Sequence, residues 1–141
     1  MTREARTASS RPAGPALLDT SVLISGLSEE MIDRIELYRS SMICRAELAQ
    51  GLAAFEKDPS RFAQLAIRRE LLRLLDSIPG FWLEFDRAAS DAYGSLTAEP
   101  KTALPLKDAL IAAHALAAGL PLLTEDAGFS RFPSVDVRRL R

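Results

Sequence analysis

Apolar residues along the chain fall into short continuous runs that alternate with helical stripes. Pro15-Ala16-Leu17-Leu18 is such a run, ending at Asp19-Thr20-Ser21. It has the pattern of a buried strand whose C-terminal end opens into a helix, continued over Val22 to Leu27. Met31, Ile35 and Tyr38, at spacings of 4 and 3, predict a second helix from Glu29 to Arg39, interrupted by Ser40 and Ser41. Ser41-Met42-Ile43 reads as a brief strand, and Cys44 to Leu52 as the start of another helix with Glu47 in its first turn.

Asp58-Pro59-Ser60 signals the start of an amphipathic helix that runs to Asp76, with Phe62, Leu65, Leu72 and Leu75 among its apolar positions and Ile78-Pro79-Gly80 as its stop. Phe81 to Phe85 alternates as a strand does, and Asp86 caps a helix carrying Ala88, Ala89, Ala92 and Leu96 that ends at Pro100. After Pro105, Leu106 to Gly119 is an almost wholly apolar helix closed by a glycine cap, so it belongs at the centre of the fold. Leu120 to Thr124 is the next buried strand, ending at Glu125-Asp126, and Val135-Asp136-Val137 the last, before the tail Arg138 to Arg141.

This alternation predicts an α/β architecture with a small, mainly parallel sheet covered by helices on both faces. Ligands in such folds bind beyond the carboxyl ends of the strands. Met1 to Gly14 has no apolar periodicity and reads as a flexible, slightly basic tail, so one folded domain is expected over 15–141.

Composition narrows the picture. With 141 residues the chain fits one domain, and 22 Ala and 22 Leu against 3 Val and 7 Ile argue for many helices and against a β-sandwich or barrel. The single Cys44 cannot form an internal disulfide or a thiolate metal site. No apolar run is long enough to span a bilayer and no secretory segment opens the chain, so a cytoplasmic protein without a membrane partner is expected. The net charge of -1 offers no overall basic footprint, although 15 Arg against 3 Lys suits bidentate phosphate contacts.

Four carboxylates stand out by position: Asp19 and Asp126 just after apolar strands, Glu47 and Asp108 near helix starts. Singly, each reads as a turn residue, a cap or a partner of the helix dipole. Gathered at one end of a sheet, they would repel and desolvate one another unless a cation compensated them. Hard oxygen donors of this kind suit Mg²⁺ or Mn²⁺, the inventory of metal-assisted phosphodiester hydrolysis.

Leu17-Leu18-Asp19-Thr20-Ser21-Val22-Leu23, Ala46-Glu47-Leu48 with Gly51, Asp108-Ala109-Leu110-Ile111-Ala112-Ala113 and Leu123-Thr124-Glu125-Asp126 with Phe129 resemble, in order and spacing, PIN-domain ribonucleases of the VapC toxin type. The likeness runs from about Pro15 to the C-terminus. It implies a PIN-like three-layer fold and a Mg²⁺- or Mn²⁺-dependent endoribonuclease. Its catalytic and metal-binding residues would be Asp19, Glu47, Asp108 and Asp126, with Thr20, Ser21 and Thr124 as hydroxyls that orient ligands or water. It also implies an RNA substrate, a homodimer and a cognate VapB-like antitoxin that neutralises the toxin, often with an arginine among the carboxylates. The chain departs from the family pattern at Cys44, where a Thr is usual three residues before the Glu, and at Gly128, where many members carry another acid. The segment from Pro100 to Pro105 also lacks the usual Gly-containing turn.

Competing readings are a non-catalytic PIN-like module that binds RNA or protein, and a phosphatase of the haloacid dehalogenase type. The phosphatase needs a second Asp where Ser21 stands, and no G-x-G-x-x-G follows the first strand to support a dinucleotide site. His114 reads as a packed core residue, and Arg61, Arg68, Arg69 and Arg73 as a solvated helix face with internal ion pairs in preference to a phosphate site. Trp82 reads as a packing residue and Cys44 as a small buried hydrophobe.

Overall fold

A computed structural model describes residues 14–98 and 105–140 of the chain. The predicted tail up to residue 13, the helix stop at Pro100 and the turn before Pro105 lie outside the described residues.

The first apolar run is strand β1 (Ala16–Leu18), every residue of it buried. Two short helices follow, α1 (Thr20–Ser25) and α2 (Glu29–Asp33). The chain continues through β2 (Tyr38–Ser41), α3 (Met42–Glu56), α4 (Phe62–Asp76), β3 (Trp82–Leu83), α5 (Arg87–Thr97), α6 (Leu106–Ala118), β4 (Leu122–Thr124) and β5 (Val137–Arg139). The five strands form one sheet in the order β3-β2-β1-β4-β5, and every pairing is parallel. The chain builds outward from β1 to β3 and then returns to β4 and β5 on the other side of β1. Right-handed crossovers, the rule for parallel strands, put the helices of the two directions on opposite faces. The order reverses between β1 and β4, and that reversal leaves a crevice beyond the strand ends.

Three elements differ from the sequence reading. The helix predicted over Glu29 to Arg39 stops at Asp33, and Tyr38–Ser41 is a strand in which Tyr38, Ser40 and Ser41 are buried. The two serines, which look like helix breakers, can be buried because their hydroxyls are satisfied. Ser40 Oγ donates to the Leu18 carbonyl at 2.7 Å, and Ser41 Oγ accepts from Ile43 N at 3.0 Å as the cap of α3. Met42 and Ile43 therefore begin α3, and Glu47 lies in the second turn of that helix and not in its first. The last strand starts two residues later than the Val-Asp-Val alternation suggests, because Leu122 pairs with Val137 in the sheet.

α6 has the central place its composition demands: Ala109, Ile111, Ala112, Ala113, His114 and Ala115 are all buried, and Gly119 closes the helix at φ 68°. α4 is amphipathic as expected, with Leu72 and Leu75 inside, but Phe62 at its start is 56% exposed. Its arginines serve the structure. Arg69 pairs with Glu56, Arg73 with Glu70, and Arg61 and Arg68 lie over the Phe55 ring. Gly51 makes the last contact possible, since a Cβ there would stand 2.3 Å from Arg68 Nη1.

Candidate functional site

β1 delivers Asp19 to the crevice. The residue occupies the N-cap position of α1, yet its side chain makes no capping hydrogen bond to that helix. It is 5% exposed, and its Oδ2 accepts from Ser21 Oγ and Thr124 Oγ1, both at 2.8 Å. Two hydroxyls thus hold a buried carboxylate in one orientation, and the backbone N–H of Asp19 is tied to the Leu123 carbonyl at 2.9 Å across the β1–β4 pair.

β4 brings up the second acid. Thr124 Oγ1, besides holding Asp19, accepts from Asp126 N at 2.9 Å, so one hydroxyl links two of the acidic residues. Asp126 is exposed and caps the short turn over Ala127–Arg131, its Oδ1 accepting from Gly128 N at 2.8 Å. A Cβ at 128 would sit 3.2 Å from that oxygen, so the glycine in place of a further acid admits the close approach.

Glu47, from α3, accepts from Thr20 Oγ1 at 2.5 Å and is paired with Lys107 Nζ at 2.8 Å. Asp108 stands half-buried in the first turn of α6. Its carboxyl is held above the usual Asp range, first by burial and then by the negative charges of Asp126, Asp19 and Glu47, against which Lys107 acts in the opposite direction. Glu47 most of all, and then Asp108 and Asp19, hold the Lys107 ammonium more firmly protonated.

The structure therefore brings the four predicted acids within electrostatic reach of one another. It does not close them into a cage: among the described residues no three His, Cys, Asp or Glu side chains are placed to hold a metal ion as they stand. Hydroxyls and a lysine compensate these carboxylates: Ser21 and Thr124 at Asp19, Thr20 and Lys107 at Glu47. The donor set still fits a hard divalent cation, for it is all oxygen, partly buried and strained by like charge.

Three neighbouring residues have settled roles. Cys44 is fully buried, and burial pushes its thiol up to about 11, which leaves it a packing residue. His114 is buried with its Nδ1 2.8 Å from Ser41 Oγ and its ring edge-on to Phe85, away from the acids. Trp82 Nε1 donates to Asp76 Oδ1 at 2.8 Å, and Arg45 clamps the same carboxylate. Lys107 escapes a motif-based reading, although a cation directly before Asp108 was the available signal.

A family model described as PIN domain matches residues 16–135. No curated protein matches the chain. Among solved structures the chain is similar to the DNA-bound VapBC complex of Salmonella typhimurium, at 25% identity and TM-score 0.68, covering 90% of this chain and 98% of that one. It is similar also to VapBC-5 of Mycobacterium tuberculosis, a member of the VapBC family of toxin-antitoxin systems, at 24% identity and TM-score 0.69, covering 91% and 98%. A third likeness is FitAcB of Neisseria gonorrhoeae, at 26% identity and TM-score 0.62, covering 89% and 96%.

Proposed function

The chain belongs to the PIN-domain family, and from that premise we propose that it is a VapC-like toxin: a Mg²⁺- or Mn²⁺-dependent endoribonuclease. The observation that carries the proposal is Asp19. A buried carboxylate at a strand end, freed from capping duty and oriented by two hydroxyls, is expensive to keep unless it binds something. A bound divalent ion would supply the activation of water and the neutralisation of charge on the leaving oxygen.

In this reading Asp19, Glu47, Asp108 and Asp126 would hold the ion. Ser21 and Thr124 orient Asp19, Thr20 orients Glu47, and Thr124 also fixes the backbone of Asp126. Lys107 balances the charge of Glu47. The phosphatase alternative loses its ground at Ser21, whose hydroxyl serves Asp19 where that chemistry needs a second acid.

Two of the solved relatives are VapBC proteins, one of them described as a member of a family of toxin-antitoxin systems, and the proposal extends to a VapB-like antitoxin that blocks the site, a homodimer, and action on RNA in the cytoplasm. Among the described residues no helix is long and apolar enough to cross a membrane. An arginine from the antitoxin would fork onto the carboxylates in place of the metal.

The test is cleavage of RNA by the purified protein with Mg²⁺ or Mn²⁺. The expected products carry 5′-phosphate and 3′-hydroxyl ends, and cleavage is lost in EDTA and in Asp19→Asn. Cyclic 2′,3′-phosphate ends would make the ribose hydroxyl the nucleophile and overturn the mechanism. Metal-independent binding of RNA without cleavage would favour a non-catalytic module, the reading to which the Glu47–Lys107 pair lends support.

A further inference from the structure

Beside Asp126, between the turn that follows β4 and strand β5, lies a hollow of about 260 Å³ lined by Asp126, Phe132, Pro133, Val135, Val137 and Arg139. Its floor is apolar, with Phe132 2% and Val135 6% exposed. It shares Asp126 with the carboxylate group and so borders it.

The register of the sheet decides which way the rim of this hollow faces. Arg139 is the cross-strand partner of Thr124 in the parallel β4–β5 pair, and Leu140 N donates to the Thr124 carbonyl at 2.9 Å. Paired residues on parallel strands direct their side chains to the same face, and alternate residues along a strand do so too. Thr124 faces Asp19, so Arg139 and Val137 stand on the site's side of the sheet. Arg138 faces the other way and is paired with Asp136 at 3.0 Å. Arg139 is exposed, and its guanidinium makes no ion pair or hydrogen bond among the described residues.

We propose that this hollow is a nucleotide subsite, which takes the base next to the bond being cut while Arg139 pairs with the adjoining phosphate. The inference rests on the ribonuclease reading above. Four carboxylates repel a polyanion, so the strand needs a cation beside the metal to seat it, and Arg139 is placed for that. Single-stranded RNA is recognised by splaying a base onto an apolar or aromatic surface while arginine holds the backbone, which is the combination found here. Another hollow among the described residues, of about 350 Å³, lies by Leu83, Glu84, Asp86 and His114. Its charged lining is acidic, so it would repel the same ligand.

The experiment uses an oligoribonucleotide selected by the unaltered protein's own cleavage of a randomised pool, and versions of it that lack one base on either side of the cut. In the unaltered protein, removing the base that fills the hollow raises KM. In Val137→Phe, whose ring occupies the hollow, the intact and abasic oligomers are cut with the same KM. Arg139→Ala, at an exposed position that spares the core, raises KM several-fold and flattens the salt dependence of kcat/KM by about 0.7 in slope, the loss of one phosphate contact to a single strand. Equal abasic penalties in the unaltered protein and Val137→Phe overturn the subsite, as does an unchanged salt slope in Arg139→Ala. Failure of the unaltered protein to cut any RNA would instead sink the ribonuclease reading.

Discussion

Lys107 Nζ lies 2.8 Å from Glu47 Oε2, one residue before Asp108, so the acidic group carries a cation of its own. A divalent ion must compete with that ammonium for Glu47 and bind against its charge. The lysine side chain is 59% exposed, so solvent screens the pair and it stabilises the fold by less than ~1 kcal/mol. Lys107→Met is expected to leave the metal-free melting temperature almost unchanged and to tighten Mn²⁺ binding by up to about fivefold, the equivalent of ~1 kcal/mol. Calorimetric titration reads this directly, and unchanged or weaker binding would remove Lys107 from the competition.

Asp108 separates function from stability. Its folded pKa lies above the ordinary 3.8, so the folded state binds more protons than the unfolded one. The resulting stabilisation is full below 3.8 and is lost as pH rises through the raised folded value. At neutral pH the charge is therefore a burden on the metal-free protein. Asp108→Asn should melt at an equal or higher temperature without metal, while Mg²⁺-induced stabilisation and RNA cleavage nearly vanish. A variant that melts several degrees lower would make Asp108 a residue needed for folding.

Thr124→Val keeps the shape of the side chain but takes a donor from Asp19 and an acceptor from Asp126 N. Leaving a buried carboxylate one hydroxyl short costs on the order of 1–3 kcal/mol. Urea unfolding should show a loss in that range, together with weaker Mn²⁺ binding. Ser21→Ala removes the other donor to the same oxygen and should act in the same direction. Full metal affinity in Thr124→Val would mean that the orientation of Asp19 does not depend on this hydroxyl.

His114 provides a pH dependence unrelated to the acids. Burial holds its pKa below the ordinary 6.5, so the folded state binds fewer protons than the unfolded chain. That contribution to stability is present above 6.5 and is lost as pH falls through the depressed folded value. His114→Gln should unfold with a shallower decline in stability between neutral and mildly acidic pH. Parallel declines in the two proteins, followed by urea denaturation, would show that another group titrates.

The ends of the sheet's central strands were legible because they obey local rules. A run of apolar residues broken by Asp19 or by Glu125-Asp126 marks where a buried strand must stop. Tyr38 was misread because its spacing from Met31 and Ile35 fits a helix as well as a strand, and only pairing with Ala16 of β1 decides between them. Ser40 and Ser41 look like breakers until Leu18 and Ile43 supply their partners. Lys107 and Arg139 were missed for a related reason. A cation joins a site through distances across the fold, and those depend on helix packing and strand register that no local window contains.

The reversal of strand order between β1 and β4 also sets a timetable. A growing chain can lay β2 and β3 beside β1 early, but Asp19 then waits for Thr124, 105 positions further on. At ribosomal speeds of ~5–20 residues per second that interval is about 5–20 seconds. During it the first acid has been made and its orienting hydroxyl has not. On the ribonuclease reading proposed above, a half-made chain would be inert by topology alone, and an antitoxin would have those seconds to be in place before the carboxylate group exists.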